Sequence, residues 1–133
     1  MSKKILFLTG TRADFGKIKS LIQILEAYPE FEPFIFVTGM HLQKEYGFTL
    51  LEVERCGFSN IHTFENHTHE TTMDLTLAKT IKGLSAYVKQ CEPDMIVIHG
   101  DRVEALAGAI VGSLNNILVS HIEGGEVSGT IDE

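Results

Sequence analysis

The stretch Gly10-Thr11-Arg12-Ala13-Asp14-Phe15-Gly16-Lys17 decides the fold of this chain, because it follows the apolar run Ile5-Leu6-Phe7-Leu8 almost directly. An apolar run that ends in glycine, followed by a helical pattern, is typical of the first strand and helix of an α/β protein. Such a helix directs its free backbone N–H groups and the positive end of its dipole at an anion. Arg12 and Lys17 add full charges. The stretch predicts a site for a phosphate-bearing ligand, and the alternative is an ordinary βα turn with both side chains solvated.

The spacing within this stretch argues against two common nucleotide-binding motifs. Five residues separate Gly10 from Gly16, whereas a Walker A loop has four, and Ile18 stands where a hydroxyl would bind Mg²⁺. A G-x-G-x-x-G pattern is also missing, which weakens a dinucleotide interpretation. The ligand is therefore expected to carry phosphate without being ATP, GTP or a dinucleotide held by these motifs.

Short apolar runs alternate with helical patterns along the whole chain. This alternation predicts an α/β fold with a parallel sheet covered on both faces. A doubly wound, Rossmann-like sheet with local strand order 3-2-1-4-5 is the arrangement we expect. The predicted strands are 5–8, 34–37, 60–64, 95–98 and 117–120, and the predicted helices are 14–28, 41–57, a long helix after Thr72 that ends at Pro93, and 102–114.

Composition limits the class of protein. The 133 residues suit one domain, and a net charge of −7 argues against a nucleic-acid partner. Cys56 and Cys91 lack zinc-like or C-x-x-C spacing, so we expect reduced, mostly buried thiols in a cytoplasmic protein. No apolar run approaches the ~20 residues of a membrane span, and no membrane partner is expected.

Polar, ionisable or glycine residues follow four of the predicted strands. In doubly wound sheets, ligands bind beyond the carboxyl ends of the strands. These residues are therefore expected to converge on one cleft. They are Thr11-Arg12, Thr38-Gly39-Met40-His41, His99-Gly100-Asp101-Arg102 and His121-Ile122-Glu123-Gly124-Gly125-Glu126.

Two carboxylates in this set are candidates for acid–base chemistry. Asp101 has a local alternative, since Glu104 three residues on would complete a helix N-cap and capping box. Glu123 precedes Gly124-Gly125, which allows a close approach of the backbone to a ligand, or alternatively a flexible turn with a solvated glutamate. Paired carboxylates suit the abstraction and return of a proton.

Other chemistries are less well supported by the sequence. His67-Thr68-His69-Glu70 suggests a metal, but spacing offers no obvious third ligand, so no metal site is expected. There is no G-x-S-x-G nucleophile elbow. Both cysteines fall in predicted helices rather than at strand ends, which argues against a thiol nucleophile.

Taken together and in order, the four motifs resemble those of the UDP-N-acetylglucosamine 2-epimerases. The similarity is greatest to the hydrolysing bacterial branch that makes N-acetylmannosamine for sialic-acid synthesis. It implies a GT-B-like enzyme of two Rossmann-like domains with the active site between them. Residues 1–133 would then be an incomplete amino-terminal domain. The carboxyl-terminal UDP-binding domain would be absent, and this polypeptide alone would be inactive.

The resemblance also implies a reaction and roles for individual residues. The C2 proton of the sugar is removed and UDP is expelled across the C1–C2 bond, which leaves a 2-acetamidoglucal that takes up water. Asp101, Glu123 and Glu133 match family carboxylates that act in catalysis. The residues expected to bind substrate are Arg12, Lys17, His41, Gly100, Arg102 and His121.

Partners follow from the same resemblance. A UDP-sugar substrate and a homo-oligomer of the full-length protein are expected, with no redox cofactor and no obligatory metal. Four alternatives remain open: an epimerase of a related sugar such as UDP-diacetylbacillosamine, a non-hydrolysing 2-epimerase, a GT-B glycosyltransferase domain, and a non-catalytic α/β module that binds a phosphorylated ligand or a partner.

Overall fold

A computed structural model of the chain describes residues 2–39, 50–66 and 72–122, apart from the side chain of Arg12. The strands in these ranges are β1 (Lys3–Thr9), β2 (Phe31–Val37), β3 (Ile61–Thr63), β4 (Met95–His99) and β5 (Leu118–Ile122). The helices are α1 (Arg12–Glu26), α2 (Leu50–Glu54), α3 (Met73–Cys91) and α4 (Val103–Leu114).

The strands form one parallel sheet in the order β3-β2-β1-β4-β5. The predicted fold class and the predicted strand order are both confirmed. Because β1 lies in the middle, β2 and β4 both pair with it, Ile5 aligning with Pro33 on one side and with Met95 on the other. The glycine turn after β1 therefore stands at the centre of the sheet's carboxyl edge.

Each face of the sheet has its own apolar core. Ile5 and Phe7 of β1 pack with α1 and α2, whereas Leu6 and Leu8 pack with α3 and α4. This follows from the alternation of side chains along a strand, which sends successive residues to opposite faces. The helices after β1 and β4 consequently cover opposite faces, so the winding reverses between these two strands.

Small residues allow α4 to lie close against the sheet. An added Cβ at Gly108 would stand 2.5 Å from Ile98 Cγ2, and one at Gly112 would stand 2.3 Å from Val119 Cγ2. Real Cβ contacts are longer than these distances. The glycines therefore set the spacing between α4, β4 and β5.

The boundaries of the helices differ from the predicted ones. Helix α1 begins at Arg12 rather than at residue 14, because Thr11 caps it. In α3, Leu84, Val88 and Cys91 are buried and Ile81 packs against the same core. Thr76 and Thr80 are buried beside them, and Thr80 Oγ1 donates to the Thr76 carbonyl at 2.7 Å. Within α2's predicted range of 41–57, residues 41–49 lie outside the described part of the chain.

The two cysteines and the lengths of the helices can be compared with the predictions. Cys91 is buried and Cys56 is half-buried, and both are free thiols. A search of the described helices for one long and apolar enough to cross a membrane found none.

Candidate functional site

The carboxyl ends of β1 and β4 form the crevice where this fold offers a ligand site. They are neighbours in the sheet, but α1 leaves β1 towards one face and α4 leaves β4 towards the other. Such a reversal opens a gap between the two outgoing turns, and ligands of doubly wound proteins occupy it. The predicted anion-binding turn and the Gly100-Asp101-Arg102 motif lie on its two sides.

The turn from β1 into α1 is organised by Asp14. Its Oδ2 accepts hydrogen bonds from the backbone N–H groups of Gly10 and Thr11, both at 3.0 Å. Thr11 Oγ1 accepts in return from the Asp14 N–H at 3.1 Å, which completes a capping box. The N–H groups of Gly10 and Thr11, which precede the first residue of α1, are thus occupied by the chain's own carboxylate. The anion site at this turn stays a prediction.

Asp14 also reaches across the crevice to β4. Its Oδ1 lies 2.7 Å from Nδ1 of His99, and the two side chains are only 11% and 9% exposed. Because an ionised carboxylate only accepts hydrogen bonds, the proton of this contact belongs to His99 Nδ1. The sequence placed His99 among the strand-end residues expected at the cleft but gave neither His99 nor Asp14 a role. Thr11-x-x-Asp14 has the spacing of a capping box, a signal that could have identified the start of α1 and the part of Asp14 in it.

Gly100 forms the turn after β4 with a φ of +77°, a value that favours glycine. Its N–H donates to the Ile122 carbonyl at 3.1 Å, and its own carbonyl accepts from His121 Nε2. The ends of β4 and β5 are therefore joined, and Gly100 and His121 lie together as predicted for one cleft.

Asp101 follows this turn with an exposed side chain. The predicted N-cap role for Asp101 is wrong, because α4 begins at Val103 and Arg102 is its N-cap residue. That start places Glu104 in the first turn, where its side chain points inward rather than back to Asp101. Asp101 therefore lies at the carboxyl edge of the sheet and is not the N-cap of α4.

Glu104 belongs to a buried polar network beneath the crevice. Its carboxylate accepts from Arg102 Nε at 3.5 Å and from Asn66 Nδ2 at 3.2 Å. Asn66 Nδ2 also donates to Thr80 Oγ1 at 2.9 Å, while Asn66 Oδ1 accepts from the Gly39 N–H at 3.0 Å. Burying a carboxylate and an amide is tolerated when such partners satisfy them. Asn66 and Glu104 were missed, since no local sequence pattern marks them as partners.

The remaining predicted site residues divide into two groups. Lys17 is exposed on α1, and Arg102 is 43% exposed beside Glu104. The residues outside the described part of the chain are the side chain of Arg12, His41, Glu123, Glu133 and the segment 67–70. Within the described ranges, no three His, Cys, Asp or Glu side chains are grouped as metal ligands. The absence of a metal at 67–70 stays a prediction.

Comparison with known families decides the affiliation of the chain. A family model described as UDP-N-acetylglucosamine 2-epimerase matches residues 23–133. The chain belongs to this family. The resemblance found in the four strand-end motifs is thereby confirmed at the level of the family.

Two relatives show how similar the chain is to individual members of the family. It is 50% identical over 131 residues to the UDP-N-acetylglucosamine 2-epimerase of Neisseria meningitidis, covering 98% of this chain and 35% of that protein. It is 36% identical over 138 aligned positions to a UDP-N,N'-diacetylbacillosamine 2-epimerase (hydrolyzing) of Legionella pneumophila, covering 100% and 36%. The chain thus spans about a third of the length of these relatives.

A solved structure agrees with the fold. The UDP-GlcNAc 2-epimerase of Methanocaldococcus jannaschii, in complex with UDP-GlcNAc and UDP, superposes with a TM-score of 0.80 at 25% identity. The match covers 95% of this chain and 34% of that one. The match supports the Rossmann-like architecture described above.

Proposed function

We propose that the chain is part of a hydrolysing UDP-N-acetylglucosamine 2-epimerase, which converts UDP-GlcNAc to N-acetylmannosamine and UDP for sialic-acid-type sugar synthesis. The observation that carries the proposal is the place of Asp101. This carboxylate stands exposed beyond β4, across the winding reversal from the basic turn after β1. A base and a cationic turn on two sides of one crevice suit removal of a proton and departure of a diphosphate.

The proposed reaction has two stages, the elimination of UDP and the addition of water. A carboxylate, Asp101 or Glu123, takes the proton from C2 while the C1–O bond breaks and its electron pair leaves on UDP. Arg12 and Lys17 stabilise the charge that develops on the diphosphate. Water then adds to the 2-acetamidoglucal, its oxygen to C1 and a proton to the opposite face of C2.

Further residues are assigned to the same site. Glu133 acts with the two carboxylates, and the sugar and diphosphate contact the remaining strand-end residues. Because Gly100 and His121 are hydrogen-bonded to each other and Arg102 is held through Nε by Glu104, these groups are preorganised before substrate arrives. The substrate-contact residues proposed here are His41, Gly100, Arg102 and His121.

We assign residues 1–133 to the amino-terminal domain of a GT-B-like enzyme, with the UDP-binding domain in the remaining two thirds of the relatives' length. This assignment is supported by the share of those relatives that the chain spans. The active site then lies between the domains, so residues 1–133 alone are expected not to release UDP. A cytoplasmic location and a homo-oligomer of the full-length protein are part of the same proposal.

The hydrolysing outcome is supported by one relative's description as hydrolyzing. That same relative acts on UDP-N,N'-diacetylbacillosamine by name, so the related sugar is the second candidate substrate. A non-hydrolysing epimerase or a glycosyltransferase would give different products, and the following experiment separates them.

The test uses the full-length protein with UDP-GlcNAc in deuterated water, with NMR identification of the products. Free N-acetylmannosamine with deuterium at C2 supports the proposal. Deuterated UDP-sugar without release identifies a non-hydrolysing epimerase. Transfer of unlabelled sugar to an acceptor identifies a glycosyltransferase. Unchanged UDP-GlcNAc beside turnover of UDP-diacetylbacillosamine identifies the second substrate.

Asp101→Asn in the full-length protein tests the carboxylate itself. The amide has no basic oxygen for the C2 proton, so turnover should fall ~10²-fold or more with UDP binding retained. Asp94→Asn is the matched control, because Asp94 lies at the opposite end of β4, where its carboxylate accepts from the Lys4 N–H at 2.8 Å. Near-normal turnover of Asp101→Asn would remove Asp101 from the chemistry.

A further inference from the structure

We propose that Asp14 is a positioning residue of this reaction: its buried carboxylate ties the diphosphate side of the crevice to the catalytic side through His99. The proposal rests on the proposed function, because it assigns the two sides of the crevice to diphosphate and proton transfer. Asp14 contacts neither reacting atom in this scheme. It acts by holding the two turns at a set distance.

The hydrogen bonds of Asp14 carry the argument. One oxygen, Oδ2, binds the N–H groups of Gly10 and Thr11 on the β1–α1 turn, both at 3.0 Å. The other, Oδ1, binds His99 at the end of β4 at 2.7 Å. A single side chain that is 11% exposed therefore joins the two outgoing turns at the winding reversal.

The consequence for Asp101 follows from chain connectivity. His99 and Asp101 are separated only by Gly100, whose left-handed backbone and bonds to β5 leave little freedom between them. Fixing the His99 ring thus fixes the direction in which the chain leaves β4. A displacement of about 1 Å in a catalytic group costs on the order of 10²-fold in rate, so this constraint matters for turnover.

The contact also sets the chemistry of His99. With Nδ1–H donated to Asp14, the other ring nitrogen, Nε2, takes no part in that contact. Two roles for His99 then make opposite demands. A positioning role needs the Nδ1 donor and not Nε2, whereas a proton-transfer role needs Nε2.

Asparagine and glutamine separate these two roles. The amide nitrogen of His99→Asn lies near the position of Nδ1 and still donates to Asp14. The amide of His99→Gln reaches only towards the position of Nε2 and loses Asp14. In the full-length enzyme, His99→Asn should lower kcat by less than about tenfold and His99→Gln by about 10²-fold.

Asp14→Ala completes the series. It removes the acceptor for the Gly10 and Thr11 N–H groups together with the partner of His99 Nδ1. We expect kcat to fall about 10²-fold while the UDP dissociation constant changes less than about threefold. The double variant with His99→Gln should lose less than the product of the two single losses, since both changes remove the contact between Asp14 and His99. Asp74→Ala is the control, because Asp74 is an exposed first-turn carboxylate of α3 that accepts from the Thr72 hydroxyl.

Calorimetric counting of UDP sites distinguishes positioning from folding. A merely structural loss would lower the number of UDP sites and the total turnover by the same factor, with kcat per site unchanged, and would overturn the proposal. Normal turnover of Asp14→Ala, or equal losses in His99→Asn and His99→Gln, would overturn it as well. Wild-type enzyme inactive on UDP-GlcNAc would instead refute the proposed substrate, and the same series would then be measured on UDP-diacetylbacillosamine.

Discussion

At the scale of single residues, the crevice depends on glycines at the ends of β1 and β2. An added Cβ at Gly10 would stand 2.6 Å from Glu104 Oε1, and one at Gly39 would stand 2.7 Å from the Gly10 carbonyl oxygen. Gly39 also has a φ of +64°. Both positions therefore need glycine for space, and Gly39 needs it for backbone conformation as well.

Gly10→Ala should destabilise the protein by about 1–3 kcal/mol, because the methyl group displaces the buried Glu104 carboxylate from Asn66. Chemical denaturation of wild type and variant measures this loss. In Gly10→Ala/Glu104→Ala the obstructing carboxylate is absent, so adding the Gly10→Ala change should cost less than it does alone. Additive effects of the two changes would contradict the proposed clash.

At the scale of elements, two helices contain glycines in opposite surroundings. Gly108 of α4 faces Ile98 and Leu8 across a close helix–sheet contact, with an added Cβ 2.5 Å and 3.0 Å from their nearest atoms. Gly16 of α1 has no atom within 4 Å of an added Cβ and is exposed. The same substitution should consequently have opposite signs in the two helices.

Gly108→Ala should destabilise by about 1–3 kcal/mol, since α4 is pushed from the sheet. Gly16→Ala should stabilise by about 0.5–1 kcal/mol, because alanine loses less conformational entropy than glycine in a helix. Thermal and denaturant unfolding of both variants give the two signs. A stabilised Gly108→Ala protein would show that α4 is free to move outwards.

At the scale of the whole molecule, an aromatic group on β2, β3 and α3 links folding to pH. His62 stacks on Tyr87 with ring centroids 4.3 Å apart and on Phe36 at 5.5 Å. Burial lowers the pKa of His62 below 6.5. Burial and, secondarily, the charge of Cys91 raise the pKa of Tyr87 to about 12, so the phenol stays neutral at physiological pH.

The depressed pKa of His62 predicts a loss of stability in mild acid. Below pH 6.5 the unfolded state takes up a proton at this residue before the folded state does, so this contribution is full above pH 6.5 and declines as pH falls through the folded pKa. Replacing His62 by Phe should reduce the difference in unfolding free energy between pH 7.5 and 5.5. Tyr87→Phe keeps the stacked ring and should leave that difference as in wild type. An unchanged pH dependence in His62→Phe would contradict the prediction.

Local sequence patterns by themselves determined the class of the fold, the strand order and the crevice. The apolar runs are short and continuous, and the helical runs have one apolar face, so burial leaves a doubly wound parallel sheet as the compact solution. The carboxyl ends of its strands meet at one edge, which is why Gly100 and His121 were predicted together. These features depend on the spacing of apolar residues and on the order of strands and helices, and both can be read directly from the sequence.

Only the tertiary structure decided which polar groups meet within that crevice. Asp14 and His99 are 85 residues apart, and Asn66 and Glu104 are 38 apart. Their contacts depend on strand register and on the residue at which α4 begins. Local helix propensity does not show that Arg102, rather than Asp101, is the N-cap of α4. Burial then forced each carboxylate to find hydrogen-bond donors. For that physical reason the turn between β1 and α1 is held by Asp14 of the same chain.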